Sequence, residues 1–268
     1  MDAGSTLSLH TGRAMPVLGL GTWELTRDTA GTVEEALRRG YRMIDTADDY
    51  GSQPGIGEAL HRTEVDRRAI YLVAKVEEDE DAYDSTRRSL GEMDQDYADL
   101  VLIHRPPPSG VGQELWHGLV RARGDGLCKD IGVSNYSVEQ LEELTSEAGE
   151  APAVNQVEWT PFGWSREMLD YCREHRILIQ AYSPLTRAER LDDERLGRLA
   201  RTYGRTPAQI LLRWNLQLGV VPLPKANRQE HLIENLGVFD FEISDEDMKA
   251  LGDLNEPWSS LGPKPQYL

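Results

Sequence analysis

IYLVAKVEEDEDAYDSTRRSLGEMDQDYADLVLIH, residues 70–104, holds the reading that decides the fold. It opens on the apolar run IYLVAK (70–75), crosses a polar cluster and a stretch with helical period, and closes on a second run, DLVLIH (99–104). Continuous Val, Ile and Leu suit strands covered on both faces, and strand–helix alternation suits a parallel sheet. The pattern recurs outward in both directions. The other runs are VLGLG (17–21), RMID (42–45), DIGVS (130–134), AVNQVE (153–158), ILIQAY (177–182) and VVPLPK (220–225), which makes eight. Amphipathic stretches lie between them, for example 29–39, 136–147 and 207–218, the last beginning after Thr206 with Pro207 at its first helical position. Eight such units in 268 residues predict one domain, residues 1–268, folded as an α/β (β/α)8 TIM barrel. The segment TLSLHTGRAMPVLGL (6–20) reads as an N-terminal β-hairpin that turns at Thr11-Gly12 and closes the barrel bottom. A doubly wound sheet would show about six strands and a dinucleotide fingerprint. GLGTWE (19–24) has two glycines and then fails the G-x-G-x-x-G spacing.

A net charge of −17 argues against nucleic acid or an anionic membrane surface as partner. No apolar run approaches the roughly 18–20 residues that span a bilayer, and the N-terminus lacks a basic segment followed by an apolar block, so a cytoplasmic location is expected. Cys128 and Cys172 are too few for a disulfide framework and have no metal-ligand spacing. The Asn135-Tyr136-Ser137 triplet matches a glycosylation sequon, a match without consequence in a cytoplasmic chain. Of 29 basic residues only five are lysines, at 75, 129, 225, 249 and 264, so a lysine at a strand end stands out.

Barrel active sites gather where strands end, at the C-terminal face. Here those ends carry Gly21-Thr22-Trp23, Asp45 with Tyr50 just beyond, Lys75, His104, Ser134-Asn135, Gln156, Tyr182-Ser183 and Lys225. Asp, Tyr, Lys and His on one rim form a coherent set for reducing a carbonyl, which needs a hydride donor and an acid for the emerging alkoxide. A free tyrosine titrates near ~10, far from neutral pH, and a buried ammonium beside it is expected to lower that value. An aspartate holds the ammonium, and a neutral histidine orients the substrate oxygen. A metal-dependent hydrolase is disfavoured, since no His and carboxylate ligands are expected to cluster at successive strand ends.

These residues sit in motifs that resemble the aldo-keto reductase family over essentially the whole chain, closest in flavour to short prokaryotic members of the diketogluconate reductase type. The motifs are GLGTW (19–23), IDTADDYG (44–51), IGEAL (56–60), LVAK (72–75), DLVLIHRP (99–106), IGVSNY (131–136), VNQVEW (154–159), AYSPL (181–185), LPK (223–225) and ENL (234–236). The resemblance implies that Asp45, Tyr50, Lys75 and His104 form the catalytic tetrad, with Tyr50 the general acid. It implies cofactor contacts by Gly21, Thr22, Ser134, Asn135, Gln156, Tyr182, Ser183 and Leu185, with Lys225 near a 2′-phosphate and Glu234 and Asn235 at the adenosine end; Arg228, where the chain departs from the family, is the candidate to supply the charge missing there. Trp23 would line the substrate pocket, with Trp258 and Tyr83 as further aromatic candidates. The implied activity is NAD(P)H-dependent reduction of aldehydes, ketones and α-dicarbonyls by a monomer, without a metal. A non-catalytic nicotinamide-binding subunit and an enzyme working mainly as an alcohol dehydrogenase are the alternatives.

The chain departs from the family pattern after Lys225. A serine and, five residues later, an arginine that pairs with the 2′-phosphate are usual there; this chain has Ala226 and His231, with Arg228 between them. Histidine is a weak substitute for an always-charged bidentate donor near neutral pH. NADP(H) is therefore expected to be preferred by a reduced margin, with NAD(H) still used. Steady-state kcat/KM for both reduced cofactors checks this, and a preference above roughly a thousandfold, about 4 kcal/mol, refutes it.

Overall fold

In the computed structural model, which describes residues 1–25 and 27–268, the eight apolar runs become neighbours in chain order in one parallel sheet. A short antiparallel hairpin precedes them, β1 (Thr6–Ser8) and β2 (Ala14–Pro16). The sheet strands are β3 (Leu20–Gly21), β4 (Met43–Asp45), β5 (Tyr71–Val76), β6 (Ala98–Ile103), β7 (Cys128–Ser134), β8 (Val154–Glu158), β9 (Leu178–Tyr182) and β10 (Val221–Pro222). The first and last meet: Gly19 N donates to Pro222 O at 3.1 Å and Gly21 N to Pro224 O at 3.2 Å, so the sheet closes on itself. That closure rules out the doubly wound alternative.

The helices on the outside are α1 (Thr29–Arg38), α2 (Gln53–Arg62), α3 (Ala82–Met93), α4 (Gln113–Gly124), α5 (Val138–Ala148), α6 (Arg166–Glu174), α7 (Glu194–Tyr203), α8 (Pro207–Gln217), α9 (Gln229–Leu236) and α10 (Asp245–Gly252). Their starts follow local chemistry. Thr206 and Gln209 form a reciprocal capping box at α8, as do Ser137 and Gln140 at α5, satisfying backbone N–H groups that no helical carbonyl can reach.

The period of two along each strand divides the core into an inside and an outside. Ile44, Leu72, Ala74, Val76, Val101, Ile103, Ile131, Val133 and Val157 pack outward against the helices. Met43, Tyr71, Val73, Leu100, Leu102, Val154, Val221 and Leu223 pack together inside the ring. The hairpin residues Leu9 and Met15 join that inner cluster, and Arg13 reaches Asp130 of β7 at 3.2 Å, so the hairpin plugs the barrel as expected. Continuing the alternation past the apolar layers puts Asp45, Lys75, Ser134, Gln156 and Tyr182 on the inner face at the strands' C-terminal ends. Gly132 lets this ring be narrow: a Cβ there would lie 2.6 Å from Val154 O and 2.8 Å from Leu102.

The C-terminal tail is bound to the mouth of the barrel. The carboxylate of Glu158, at the end of β8 and 1% exposed, accepts hydrogen bonds from the Ser259 hydroxyl and from both the backbone and hydroxyl of Ser260. Tyr267 stacks on Trp159 with centroids 6.1 Å apart, and the Trp258 carbonyl passes over Gly163, where a Cβ would sit only 1.9 Å from it. Gly163→Ala is therefore expected to displace the tail and cost about 1–3 kcal/mol, in the range of overpacked sites. Gly91→Ala, in α3 with nothing within 4 Å of its missing Cβ, should stabilise by about 0.5–1 kcal/mol. Urea unfolding of both variants checks this; equal midpoints would refute the tail contact.

Candidate active site

Lys75 is the centre of the site. Its side chain is 0% exposed, and a buried ammonium is tolerated only if all three N–H groups find acceptors. They do: Asp45 Oδ1 at 2.7 Å, Thr46 O at 3.2 Å and Tyr50 Oη at 3.4 Å. Burial works against the charge, but Asp45 and Tyr50 outweigh it and hold the ammonium above the ordinary lysine range. The second oxygen of Asp45 accepts from Gln156 Nε2 at 2.8 Å, and Gln156 also donates to Gln180 Oε1 at 2.9 Å. Gln180 then reaches the sulfurs of Met15 and Met43, so a polar chain runs from the lysine down the barrel to the plug.

Tyr50 ends a short 3-10 turn, Asp48–Tyr50, which Gly51 terminates at φ +64°. Its ring lies under the Lys75 ammonium, 4.9 Å from the centroid, and edge-on to His104 at 5.8 Å. Because its oxygen accepts from Lys75, its own hydroxyl proton is left to point elsewhere. The expectation that lysine brings the phenol below its ordinary value is not met. Burial raises it, and the ammonium only limits the rise. The phenol therefore keeps its proton throughout the neutral range.

His104 is fixed at both ends. Its backbone N donates to Val76 O, its carbonyl accepts from Asn135 Nδ2 at 3.1 Å, and its ring Nδ1 lies 2.6 Å from Glu77 Oε1. Sequence reading missed Glu77, although the signal was present: residues 71, 73, 75 and 77 share one face of β5 and its extension. The expectation that no His and carboxylate cluster forms at successive strand ends also needs correcting. Ligand atoms of Asp49, Glu77 and His104 lie within 4.8 Å of one another. The chain supplies the counter-charge there itself, since Arg105 lies 3.5 Å from Asp49 and 3.4 Å from Glu77.

Around this quartet the other rim residues are unequally available. Ser134 donates to Gln156 O at 2.7 Å. Asn135 sits at φ +65°, a region Asn tolerates, and its Oδ1 accepts from the Tyr182 hydroxyl at 2.8 Å. That bond fixes a partly exposed tyrosine ring. Gln156 Oε1 has no hydrogen bond among the described residues. Thr22 is 0% exposed and holds Asp45 O and the Ser52 hydroxyl, while Gly21 is required by closure, its missing Cβ lying 2.8 Å from Leu223 O. Both have structural reasons independent of any ligand.

Ser183, Thr186, Arg187 and Ala188 all have positive φ, a strained strap after β9, with Leu185 packed on the core between them. Trp23 lies between two cations, Arg187 at 4.0 Å and Lys225 at 5.4 Å from its ring. Lys225 also pairs with Glu24 at 3.5 Å. Ala226 is buried, whereas Arg228 and His231 are exposed at the start of α9. Arg228 shares the lining of a groove of about 430 Å³ with Asp28, Arg38 and Asn227. Asn235 is buried, its Nδ2 without a hydrogen-bond partner among the described residues, and Glu234 is half-buried beside it. Tyr83 is no pocket wall: it turns against α4, bonded to Asp125 and under Arg121. Trp258 packs edge-on to Phe162. Burial pushes both thiols, Cys128 and Cys172, up to about 12, so neither is a nucleophile.

The fold and the site together define a barrel whose phenol, ammonium and imidazole converge at the mouth of the strands. Comparison with known proteins agrees. The profile of the Aldo/keto reductase family matches residues 17–256. The glyoxal reductase of Bacillus subtilis is 38% identical, covering 98% of this chain and 97% of its own length. The structure of an aldo/keto reductase from Brucella melitensis superposes with a TM-score of 0.88 at 36% identity, over 93% of this chain and 99% of that one. A Bombyx mori aldo-keto reductase solved in complex with NADP gives 0.91 at 28% identity, over 100% and 99%. This chain belongs to the aldo-keto reductase family and is an oxidoreductase.

The buried pair gives a test of the site's construction. Lys75→Met leaves Asp45 with Gln156 as partner but no counter-ion, which should cost about 3–5 kcal/mol. Adding Asp45→Asn should recover part of the loss. Urea denaturation of the single and double variants checks this, and additive losses would refute the coupling.

Proposed function

We propose that this chain reduces aldehydes, α-dicarbonyls and activated ketones to alcohols with NADP(H), and that Tyr50 delivers the proton. The observation that carries the reading is the hydrogen bond from the fully buried Lys75 to the Tyr50 oxygen. It makes the phenol an acceptor on one side and leaves its proton for an alkoxide on the other. Lys75 stabilises the phenolate that results, and Asp45 keeps the lysine charged and in place. The name of the Bacillus relative, glyoxal reductase, supports a small dicarbonyl as substrate.

The residues present fit a nicotinamide cofactor, as in the Bombyx relative solved with NADP. A reduced nicotinamide, when bound, supplies the hydride. Tyr182, pinned by Asn135, offers a fixed flat face for its ring, and the open Oε1 of Gln156 an acceptor for its carboxamide. The strap at 183–188 would border the pyrophosphate, Lys225 and Arg228 the 2′-phosphate, and the Asn235 amide the adenosine end. Glu24 competes for Lys225, which agrees with a softened preference for the phosphorylated cofactor. Trp23, between Arg187 and Lys225, would wall the substrate side.

Tyr50→Phe is expected to bind NADPH with unchanged affinity, read by fluorescence titration, while kcat for benzaldehyde falls about 100- to 10,000-fold. Wild-type turnover in that variant would show that the acid lies elsewhere.

A further inference from the structure

The tetrad leaves one contact at the mouth without a role: the 2.6 Å bond between His104 Nδ1 and Glu77 Oε1. Nδ1 donates and the carboxylate accepts, because an ionised carboxylate has no proton to give. Burial opposes the charge on Glu77, but the bond from His104 and the nearby Arg105 guanidinium hold its carboxyl below the usual carboxylate range. It remains an acceptor across the neutral range. A histidine whose Nδ1 must carry a proton has only two forms: neutral with a bare Nε2, or charged with protons on both nitrogens.

Neither form is a neutral imidazole that donates from Nε2 to the substrate oxygen. A bare Nε2 presents a lone pair to a carbonyl oxygen and repels it. We infer that Glu77 is a positioning residue which locks His104 as the Nδ1–H tautomer, so that His104 donates to a substrate carbonyl only as imidazolium. Carbonyl reduction should then weaken with rising pH as His104 loses its proton, whereas the neutral form suits accepting a proton from an alcohol. This rests on the reductase reading above, with His104 beside the substrate oxygen.

The groups around the imidazole are consistent with this assignment. On the β5 side stand Glu77 and Lys75; on the β4 side Asp45, Asp49 and Tyr50; Arg105 follows in the chain, and Asn135 and Tyr182 close the remaining side through the His104 carbonyl and each other. Lys75 and Asp45 neutralise one another. Asp49, Glu77 and Glu78 then share a single guanidinium, which leaves a net negative surrounding. Asp49, 3.8 Å from Nδ1, is too distant to replace Glu77 as acceptor.

The tautomer is read directly in the wild-type protein by long-range ¹⁵N–¹H correlation spectra of its six histidines, with His104 assigned through His104→Gln. Neutral His104 with its proton on Nδ1 supports the lock, and a proton on Nε2 overturns it. In parallel, kcat/KM for benzaldehyde is followed between about pH 6 and pH 9, a range that brackets histidine titration. Tyr50 stays protonated there and contributes no limb. Wild type should fall about tenfold to a hundredfold, the worth of one charge-assisted hydrogen bond. Glu77→Gln, whose amide can donate to Nδ1 and so permit the Nε2–H tautomer, should lose most of that fall. Glu77→Asp, which keeps the carboxylate, should retain it. A flat wild-type profile, or the same fall in Glu77→Gln, overturns the proposal. If Tyr50→Phe keeps its turnover while His104 still shows the Nδ1–H form, the acid is misassigned but the lock stands.

Discussion

An ammonium with no access to water is the constraint on which the mouth of this barrel depends. Lys75 has to satisfy three N–H groups and one positive charge entirely from protein. Two of the residues it recruits are themselves held: Asp45 by Gln156, which in turn bonds Gln180, and Thr46 by the Ser52 hydroxyl, which Thr22 also bonds. Removing any member leaves a buried polar atom alone in a low-dielectric interior, where that is most costly. The network is thus both the chemistry and the reason the strand ends keep their positions. It also explains why Tyr50, though part of a short turn beyond β4, is held against Lys75 and His104.

Two rims of different character surround this centre. On one side Glu77, Asp49 and Arg105 form a charged collar about His104, all of them at least partly buried or paired. On the other, the strained strap of residues 183–188 and the Trp23 ring between Arg187 and Lys225 make a cationic edge in a chain that is otherwise strongly acidic. Residues held at positive φ against their preference concentrate where a ligand needs a close-fitting surface. The cationic edge suits phosphate groups, and the collar suits control of a proton. Neither could exchange places with the other.

Much of this was legible beforehand. All eight strands were placed within a few residues, because continuous apolar runs are forced by burial on both faces. The strand-end quartet was found because a lysine is rare in this chain and conspicuous at the end of IYLVAK. Reading only the last residue of each run concealed Glu77, two residues past Lys75 on the same face. Tyr83 was misread because its aromatic character gives no direction; only the helix it occupies shows that it turns away from the mouth. Thr22 and Gly21 lie where the family motif puts them, yet their packing gives each a structural duty that the motif does not reveal.

The sequence by itself determined the architecture and which phenol, lysine, aspartate and histidine meet at the mouth, because periodicity and residue type are local properties. Only the tertiary structure decided their protonation. Whether Tyr50 ends above or below its ordinary value depends on burial against one ammonium, and which nitrogen of His104 carries a proton depends on a carboxylate 27 positions away in sequence. Those are balances of distance and desolvation between residues on different strands, and they exist only once the barrel has closed.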